Sequence, residues 1–327
     1  MAPGKWPVGF RDVLEAQRRI RPYLPPTPLR NYAPLDAAVG NRIRVWVKHE
    51  NHNPTNAFKA RNGMSVLTVL PEEARRRGII SATRGNHGQA LAWAGQLLGI
   101  PVVVCVPVGN NPEKNEAMRG FGAELVEEGR DYDESLEVAQ RLFRERGLTM
   151  IHATNDPLIV AGAGTLMLEI LEQRPAIEAV VVSIGGGSQA VGALTVARTM
   201  APDVRVYGVQ AERASAIHDS WHAGRVIERD SADTFADGLA TRRPYEGTFS
   251  ALQEGLAGFV AVTEAEIADS IRTLLATTHN LAEGAGAAGL AGLNRLAGEL
   301  AEKEVAVILS GGNIDTATLA KVLARQL

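Results

Sequence analysis

Cysteine is almost absent from this sequence, since Cys105 is the only one among 327 residues. A single cysteine cannot form an intrachain disulfide, and it provides no cysteine-based zinc cluster. Cys105 lies in the apolar run 102–106, so we expect it inside a buried strand. The remaining histidines show no spacing typical of metal ligands: His152, His218, His222 and His279.

The chain also lacks a strong charge of either sign and any long apolar run. Its net charge is -3, which gives no electrostatic basis for binding nucleic acid or an anionic membrane. No apolar run is long enough to span a bilayer, and residues 1–6 lack the apolar core of a signal peptide. We therefore expect a cytoplasmic protein without nucleic-acid or membrane partners.

What the sequence does contain is a regular alternation of short apolar runs and helical patterns. Alternation of this kind predicts an α/β fold with a mostly parallel sheet covered on both faces. The strand-like runs are residues 43–48, 79–82, 102–107, 123–126, 149–152, 179–184, 204–210 and 305–309. The helical patterns are residues 10–20, 86–98, 112–120, 132–146, 157–172, 188–200, a short helix near Ser215, and 316–327.

Residues 49–63 are the stretch around which the other motifs are arranged. They follow a strand-like run, are rich in asparagine and contain Pro54, which predicts a loop that leads into a helix. Thr55 or Asn56 is the expected N-cap, so Lys59 would lie in the first turn. The helix dipole disfavours an ammonium there, and burial would lower the pKa of the amine further. A neutral lysine can form an imine or act as a general base, whereas an ordinary exposed helix lysine is the alternative.

A second feature is the glycine loop, residues 185–188, which follows a strand-like run and opens a helix. Successive glycines let backbone N–H groups point inward, and the helix N-terminus adds positive potential. The pattern predicts a phosphate cradle; a tight turn that binds nothing is the alternative. It differs from the G-x-G-x-x-G of dinucleotide-binding folds, and no clear ribose-binding acid follows on the next strand.

Three more segments lie, like the glycine loop, at junctions between predicted elements. The asparagine turn, residues 83–89 (T-R-G-N-H-G-Q), links a strand to a helix, and its backbone donors could hold a carboxylate. For Asn86 and His87, capping and packing at the helix start is the alternative. Residues 309–313 (L-S-G-G-N) also follow a strand and could be a plain glycine-rich turn. Glu283 precedes the next small-residue run and could simply be a charge partner of a helix N-terminus.

Together these segments resemble the motifs of the fold-type II pyridoxal-phosphate enzymes, the threonine/serine dehydratase and serine racemase family. Residues 55–61 are similar to the family's Schiff-base lysine motif. Residues 83–89, 183–189, 236–239 and 309–313 resemble further family motifs in the same order, so the resemblance covers almost the whole chain. It implies two open, twisted, mostly parallel sheets covered by helices, with the cofactor pyridoxal 5′-phosphate in the cleft between them.

The resemblance also implies how the chain is divided. A large domain would comprise residues 1–53 and 146–327, and a small domain of residues 54–145 would be inserted into it. No C-terminal regulatory domain is expected, because the chain ends soon after the last predicted helix. The family further implies a homodimer.

The resemblance assigns roles to individual residues. The cofactor would be contacted by Lys59, Phe58, Asn86, Gly185, Gly186, Gly187, Ser188, Gln189, Gly238, Glu283 and Ser310. The substrate carboxylate would be bound by Thr83, Arg84, Gly85, Asn86 and His87. Asn86 would contact the phenolic oxygen, Gly238 would lie beside the ring, and Ser310 would meet the pyridine nitrogen. A hydroxyl is a weaker partner for that nitrogen than a carboxylate, which favours α,β-elimination over transamination.

Three residues depart from the family's usual pattern. Ala57 replaces a serine, and Ser188 replaces a fourth glycine, although its hydroxyl can substitute for an N–H contact or add one. Arg84 stands where racemases of the family carry a serine that acts as the second acid/base. Arginine is essentially always charged, so racemisation is disfavoured. Arg84 could bind an acidic substrate side chain, or it could point to solvent or pair with a nearby carboxylate.

A divalent-cation site occurs in several dehydratases and racemases of the family. The two positions that would carry its acids are Gln210 and Ala216 in this chain. Losing two carboxylates removes most of the charge that an oxygen-ligand site needs. We therefore predict no structural Mg²⁺ or Ca²⁺ at this place.

The resemblance predicts a pyridoxal-phosphate-dependent lyase that eliminates water from a 3-hydroxy amino acid, with Lys59 as cofactor anchor and general base. L-Threonine or L-serine is the expected substrate, and an acid such as 3-hydroxyaspartate is the alternative suggested by Arg84. A β-replacement reaction is less favoured, because family synthases prefer a threonine where this chain has His87. A non-catalytic phosphate-binding protein would leave Lys59 and the ordered motifs unexplained.

Overall fold

The computed structural model describes residues 6–327 apart from the side chain of Asp133; residues 1–5, where the predicted large domain begins, lie outside the described residues. The strands are β1 Leu29–Asn31, β2 Arg44–His49, β3 Ile79–Ala82, β4 Val102–Val106, β5 Glu124–Glu127, β6 Thr149–Met150, β7 Ala179–Ser183, β8 Arg205–Ala211, β9 Gly258–Val262 and β10 Glu304–Leu309. The helices are α1 Phe10–Ile20, α2 Ala33–Val39, α3 Lys59–Leu67, α4 Glu72–Arg77, α5 Asn86–Leu98, α6 Pro112–Gly120, α7 Tyr132–Arg146, α8 Pro157–Gln173, α9 Ser188–Met200, α10 Ala216–Ala223, α11 Glu246–Gly255, α12 Glu264–Thr278, α13 Gly284–Leu296 and α14 Thr316–Leu323.

The larger sheet has six strands in the order β1-β2-β10-β7-β8-β9. Every neighbouring pair is parallel except β1 with β2. Successive side chains of a strand point to opposite faces of the sheet, so each buried strand contributes residues to a hydrophobic core on either face. Val180 and Val182 pack with residues of α8 and α9, while Val181 packs on the other face with residues of α12 and α13. The sheet is therefore covered by helices on both faces, as the sequence predicts.

The smaller sheet has four parallel strands in the order β5-β4-β3-β6. Ile79 and Val104 face a core that includes residues of α3 and α5. Ile80 and Cys105 face the opposite side, against α7. Cys105 is therefore a buried strand residue, as predicted. The two sheets agree with the predicted fold class, whereas the domain boundaries at residues 54 and 145 stay a prediction. None of the described helices combines the length and the apolar character that a membrane span requires.

Most predicted elements are confirmed, and several begin and end at the predicted residues, including α5, α6, α7 and α9. The prediction is incomplete between residues 246 and 296, where the structure has α11, β9, α12 and α13. Residues 149–152 form a shorter strand than expected, because β6 pairs with β3 only at Thr149 and Met150.

The expected N-cap of the helix that carries Lys59 is wrong. α3 begins at Lys59 itself, after Phe58, rather than near Thr55 or Asn56. Asn56 has a left-handed φ of 52°, and Ala57 forms an antiparallel bridge with the loop after β10. Both features hold the chain out of the helical conformation until Phe58, so the lysine becomes the first helical residue.

Four buried charged side chains join the start of α3 to β2 and α8. Arg61 donates hydrogen bonds to Glu50 at 2.7 Å and to Glu169 at 2.6 Å, and Lys48 donates to Glu169 at 2.6 Å. A buried charge is costly unless it is paired, and here two cations compensate two carboxylates. Because Arg61 follows Lys59 closely in the first turns of α3, this network fixes the position of the helix that carries the lysine.

Candidate active site

Segments that follow strands of both sheets meet at one place. The asparagine turn follows β3, the glycine loop follows β7, and residues 310–313 follow β10. The carboxyl ends of parallel strands lie at the same edge of a sheet, where ligands of open α/β sheets bind. Hydrogen bonds from Asn86 to Glu283 and from Asn313 to Asn86 link the segments across the two sheets. The structure therefore brings the predicted site segments together.

Lys59 lies at the centre of this region. Its side chain is half-buried; its Nζ donates to the carbonyl of Ala153 at 3.4 Å and lies 5.0 Å from the centre of the Phe58 ring. The N–H of Phe58 donates to the carbonyl of Ser310 at 2.9 Å, which ties the lysine to the loop after β10. Burial lowers the pKa of the Lys59 amine to about 8. At pH 7 the neutral fraction of the Lys59 amine is therefore larger than that of an ordinary lysine.

Two histidines accompany the lysine. His87 is buried, and neither of its ring nitrogens has a hydrogen-bond partner among the described residues. Burial and the nearby positive charge of Lys59 lower the pKa of His87 to about 3. His152 Nδ1 accepts hydrogen bonds from the backbone N–H groups of Thr154 and Asn155, both at 3.0 Å, so its ring proton lies on Nε2. Burial also lowers the pKa of His152. Both rings are therefore neutral at pH 7.

The glycine loop has no room for side chains at its first two positions. A Cβ added to Gly185 would lie 2.1 Å from the carbonyl oxygen of Gly238, and one added to Gly186 would lie 2.3 Å from Thr154 Oγ1. Gly187 has a φ of +95°, a conformation that glycine adopts without strain. Close neighbours and backbone conformation together explain why glycines stand here.

The same loop leaves backbone donors free. Within the described chain, no backbone carbonyl accepts a hydrogen bond from the N–H groups of residues 185–187. The opposite side of the loop is held, because Thr248 Oγ1 donates to the carbonyl of Gly186 at 2.8 Å. The buried side-chain amide of Gln189, at the start of α9, also lacks a partner among the described residues. Unsatisfied buried donors cost about 1–3 kcal/mol each, so this arrangement is typical of an anion site at a helix N-terminus.

The asparagine turn has a similar set of donors. The N–H of Gly85 donates to Thr83 Oγ1 at 3.1 Å, which closes the turn. No carbonyl in the described residues accepts from the backbone N–H groups of residues 86–88, the first turn of α5. Thr83 and His87 are buried, and Asn86 is half-buried. The positive end of α5 can therefore bind a carboxylate.

Asn86 is held from two sides. Its Nδ2 donates to Glu283 Oε1 at 2.6 Å, and its Oδ1 accepts from Asn313 Nδ2 at 2.8 Å. Asn313 Nδ2 also donates to the carbonyl of Thr55 at 2.9 Å. Glu283 precedes α13 without capping it, and burial raises the pKa of its carboxyl above the usual value. Glu283 is thus a partner of Asn86 rather than only a charge at a helix terminus.

Gly238 and Ser310 both contact the start of α13. A Cβ added to Gly238 would lie 2.8 Å from the Cβ of Ala285, and Ser310 Oγ donates to the carbonyl of Ala285 at 3.3 Å. Arg84 behaves differently, because it is exposed and forms no hydrogen bond or ion pair with other described residues. The structure thus gathers the predicted residues around Lys59, with Arg84 at the exposed side of the asparagine turn.

Comparison with known proteins identifies the family. The model of the family described as "Pyridoxal-phosphate dependent enzyme" matches residues 20–311. This chain belongs to the pyridoxal-phosphate-dependent enzymes. It is 37% identical over 321 residues to L-threonine ammonia-lyase of Thermotoga maritima. The aligned region covers 98% of this chain and 79% of the relative.

Two solved structures of this pyridoxal-phosphate family have the same fold. The threonine deaminase of T.th. is 34% identical with a TM-score of 0.88, covering 94% of this chain and 99% of that chain. Maize serine racemase is 28% identical with a TM-score of 0.91, covering 98% of both chains. The resemblance stated from the sequence is therefore confirmed, and so is the cofactor class.

The residues present fit pyridoxal phosphate. The glycine loop has unbonded N–H groups for a phosphate ester, and Lys59 has a half-buried amine with a lowered pKa for the aldehyde carbon. Ser310 Oγ is close to the carbonyl of Ala285 and can exchange that contact for the pyridine nitrogen. The assignment of single residues to the cofactor and substrate stays a prediction.

Gln210 occupies a structural position. Its Oε1 accepts from the backbone N–H groups of Ile217 at 3.2 Å and His218 at 3.0 Å, and its Nε2 donates to Thr241 Oγ1 at 3.1 Å. The amide thus caps α10, whose first residue is Ala216. Among the side chains that the structure describes, no group of three or more His, Cys, Asp or Glu could hold a metal ion. The absence of a cation at Gln210 and Ala216 stays a prediction.

Several residues that contact the site could not be recognised from the motifs alone. His152 and Thr154 follow β6 and precede α8, so they form another strand-to-helix turn of the kind already recognised. Their position between a strand and a helix could have indicated a role in the site. Thr248 contacts the glycine loop from α11, and no local pattern marks it. Asn313 was quoted only as part of a motif, although its amide joins three segments.

Proposed function

We propose that this chain is a pyridoxal-phosphate-dependent dehydratase, or ammonia-lyase, which eliminates water from L-threonine or L-serine to give a 2-oxo acid and ammonia. The observation that carries the proposal is the position of Lys59. Its half-buried amine, with a pKa lowered to about 8, donates to the carbonyl of Ala153, whose neighbour Thr154 lies against the glycine loop, and it is close enough to His87 of the asparagine turn to lower the pKa of that histidine. The relatives named threonine ammonia-lyase and threonine deaminase support the reaction type.

The cofactor, when bound, supplies the electron-withdrawing ring that makes the α-proton of the amino acid acidic. Lys59 would hold the cofactor at rest and, once displaced by the amino acid, would take the α-proton at Nζ. The first-turn N–H groups of α5 would bind the substrate carboxylate. The β-hydroxyl leaves as water with a proton equivalent to the one taken by Nζ, and a second water hydrolyses the released enamine to the 2-oxo acid and ammonia.

Two histidines beside this reaction are neutral. His87 and His152 are uncharged at pH 7, so they do not compete electrostatically for the substrate carboxylate. The raised pKa of Glu283 makes its carboxyl easier to protonate beside Asn86. Ser310 offers a hydroxyl rather than a charge to the ring nitrogen, which favours elimination over transamination.

An acidic substrate such as 3-hydroxyaspartate is the second candidate. It is favoured by one observation, namely that Arg84 is an exposed cation without a hydrogen bond or ion pair among the described residues, next to the turn that would hold the α-carboxylate. Comparing kcat/KM for L-threonine, L-serine and threo-3-hydroxyaspartate decides between the candidates. A wide margin for the dicarboxylate would overturn the primary proposal.

Racemisation and β-replacement are disfavoured by two residues. Arg84 stands where a racemase needs a titratable hydroxyl, and His87 stands where synthases carry threonine. A non-catalytic phosphate-binding role would leave Lys59 without a purpose.

The absorption spectrum of the purified protein tests the proposal most directly. A lysine-bound pyridoxal gives a near-visible band that borohydride removes. We expect this band in the wild type and not in Lys59→Ala. A colourless protein that gains no band with added pyridoxal phosphate would contradict the cofactor site and, with it, the reaction.

The assembly and location are also proposed. We propose a cytoplasmic homodimer, supported by the resemblance and by a single buried cysteine that needs no oxidising compartment. Light scattering coupled to size exclusion measures the mass; a monomer of 34.9 kDa would contradict the dimer.

A further inference from the structure

We propose that Lys114, near the start of α6, is a positioning residue that holds the asparagine turn in its substrate-binding conformation. The proposal rests on the proposed function, because the turn is assigned there to the substrate carboxylate. Lys114 is not a catalytic residue, since it acts through Gly85 and Asp237.

The first observation is packing against the turn. A Cβ added to Gly85 would lie 3.0 Å from Lys114 Cδ and 3.6 Å from its Cε. The lysine stem is therefore the neighbour that a side chain at residue 85 would have to displace, by a few tenths of an ångström. The side chain of Lys114 is only 11% exposed, so its methylenes form a wall beside the turn.

The second observation is where the ammonium is held. Lys114 Nζ donates to Asp237 Oδ2 at 2.6 Å. Asp237 precedes Gly238, whose carbonyl oxygen lies against Gly185 of the glycine loop. A continuous set of contacts thus runs from the asparagine turn, through Lys114 and Asp237, to the loop assigned to the phosphate.

The third observation is the charge around the ammonium. Burial alone would lower the pKa of Lys114, but attraction to Asp237 and Glu283 outweighs that effect and raises it. The side chain is therefore charged at neutral pH, and its ion pair is shielded from solvent on the lysine side. A buried charged hydrogen bond is stronger and more directional than an exposed one.

The ion pair also connects the two sheets. α6 packs against α5, the helix that begins in the asparagine turn, whereas Asp237 lies between α10 and α11 of the part that carries the larger sheet. A correctly placed Lys114 therefore sets the turn relative to the cofactor loop. Losing it should weaken binding of the amino acid more than it slows the chemical step.

Three variants of Lys114 separate its two contacts. Lys114→Met keeps a stem against Gly85 but removes the ion pair, Lys114→Ala removes both, and Lys114→Arg keeps the charge. Asp237→Asn removes the ion pair from the other side. Glu113→Gln is the matched control, because Glu113 also joins α6 to the larger part, accepting from Thr316 Oγ1 at 2.6 Å, without contacting the turn.

The primary measurement is a titration of each holoenzyme with L-threonine and L-serine, followed by the change in cofactor absorption, together with KM and kcat. We expect Lys114→Met and Asp237→Asn to raise both the amino-acid Kd and KM about tenfold, the loss of one charged hydrogen bond. Lys114→Ala should raise them further. Lys114→Arg should stay within a few fold of wild type, and kcat should change less than KM throughout. The absorption band of the free holoenzyme should not change.

Hydrogen exchange gives a readout independent of turnover. Peptides that contain residues 83–89 should exchange faster in Lys114→Met than in wild type and in Glu113→Gln, with residues 185–189 unchanged. Unchanged exchange and unchanged Kd in Lys114→Met would overturn the proposal, as would an equal effect of Glu113→Gln. If the wild type shows no spectral response to any 3-hydroxy amino acid, the proposed function fails instead, and the exchange result alone still decides the role of Lys114.

Discussion

The glycine loop and the asparagine turn both connect a buried parallel strand to a helix, but different parts of the molecule hold them. The glycine loop is enclosed by Gly238, Thr154 and Thr248, which contact its backbone closely. The asparagine turn is held across the two sheets, because Asn313 donates to Asn86 and because Lys114, whose stem lies beside Gly85, pairs with Asp237.

This difference suggests a division of tasks. The cofactor phosphate is the same in every reaction cycle, so a loop with no space for adjustment suits it. The amino acid enters and leaves in each cycle, so a turn whose position depends on contacts between the two sheets suits it better. We therefore expect backbone changes in the glycine loop to affect cofactor binding, and side-chain changes around the asparagine turn to affect amino-acid binding.

The largest expected effect concerns Lys59, which lies near His87 of the asparagine turn and contacts Ala153 beside the glycine loop. With a pKa of about 8 instead of the ordinary 10.5, its neutral fraction at pH 7 is roughly 300-fold larger. Labelling of Lys59 by an amine reagent in the cofactor-free protein should therefore rise with pH, with a midpoint near 8, and level off above it. Mass spectrometry measures the labelling, and the exposed Lys321 in the same digests corrects for reagent decay. A midpoint near 10 would show that the two segments do not desolvate the amine.

The next largest effect is expected for a substitution that disturbs the packing around the glycine loop. Gly186→Ala places a Cβ 2.3 Å from Thr154 Oγ1, so the loop or the threonine must move. Overpacking of this kind costs about 1–3 kcal/mol, which corresponds to a rise in the cofactor Kd of about 5- to 150-fold. A cofactor titration followed by absorption measures it. Gly298→Ala is the control, because no described residue lies within 4 Å of the added Cβ; equal Kd values in the two variants would contradict the tight fit.

The features that could be predicted from sequence are those with a local cause. The spacing of the apolar residues correctly predicted β3, β7 and the helices that follow them. The three glycines at 185–187 indicated a loop with little space for side chains. Lys59 was placed in the first turn because a polar, proline-containing loop precedes it. The N-cap was misplaced because the bridge between Ala57 and Gly311 joins residues far apart in the chain.

The features that could not be predicted depend on such distant pairs. Lys114 and Asp237 are ordinary surface types in sequence, and only the fold brings the ammonium to the carboxylate at 2.6 Å. Likewise, Arg61 and Glu169 lie on different helices, and nothing local distinguishes that arginine from an exposed one. Pairing across the fold removes the cost of burying such charges, so burial of a charged side chain cannot be read from local pattern alone.

A smaller effect is expected for the amide that joins the asparagine turn to the loop after β10. Asn313→Ala removes hydrogen bonds to Asn86 and to the carbonyl of Thr55. The bond to Asn86 is the one that acts on the turn, and at about 1 kcal/mol its loss should raise KM about fivefold and make residues 83–89 exchange hydrogen faster. Asn280→Ala is the control, since Asn280 is also hydrogen-bonded, at 2.7 Å to His52, but contacts neither turn. Unchanged exchange in Asn313→Ala would mean that the turn holds its own shape.

The smallest effect on stability, and the sharpest test of substrate class, is expected for Arg84→Ala. Arg84 is exposed and has no hydrogen bond or ion pair among the described residues, so its removal should change the free energy of unfolding by less than about 0.5 kcal/mol. kcat/KM for L-threonine should stay within about twofold, because a neutral substrate side chain gains nothing from the guanidinium. If Arg84 recognises a second carboxylate, kcat/KM for threo-3-hydroxyaspartate should fall about tenfold in Arg84→Ala and recover partly in Arg84→Lys, which keeps the charge but loses the fork of donors. A fall for both substrates would instead place Arg84 on the α-carboxylate, and no fall for either would assign it to solvent.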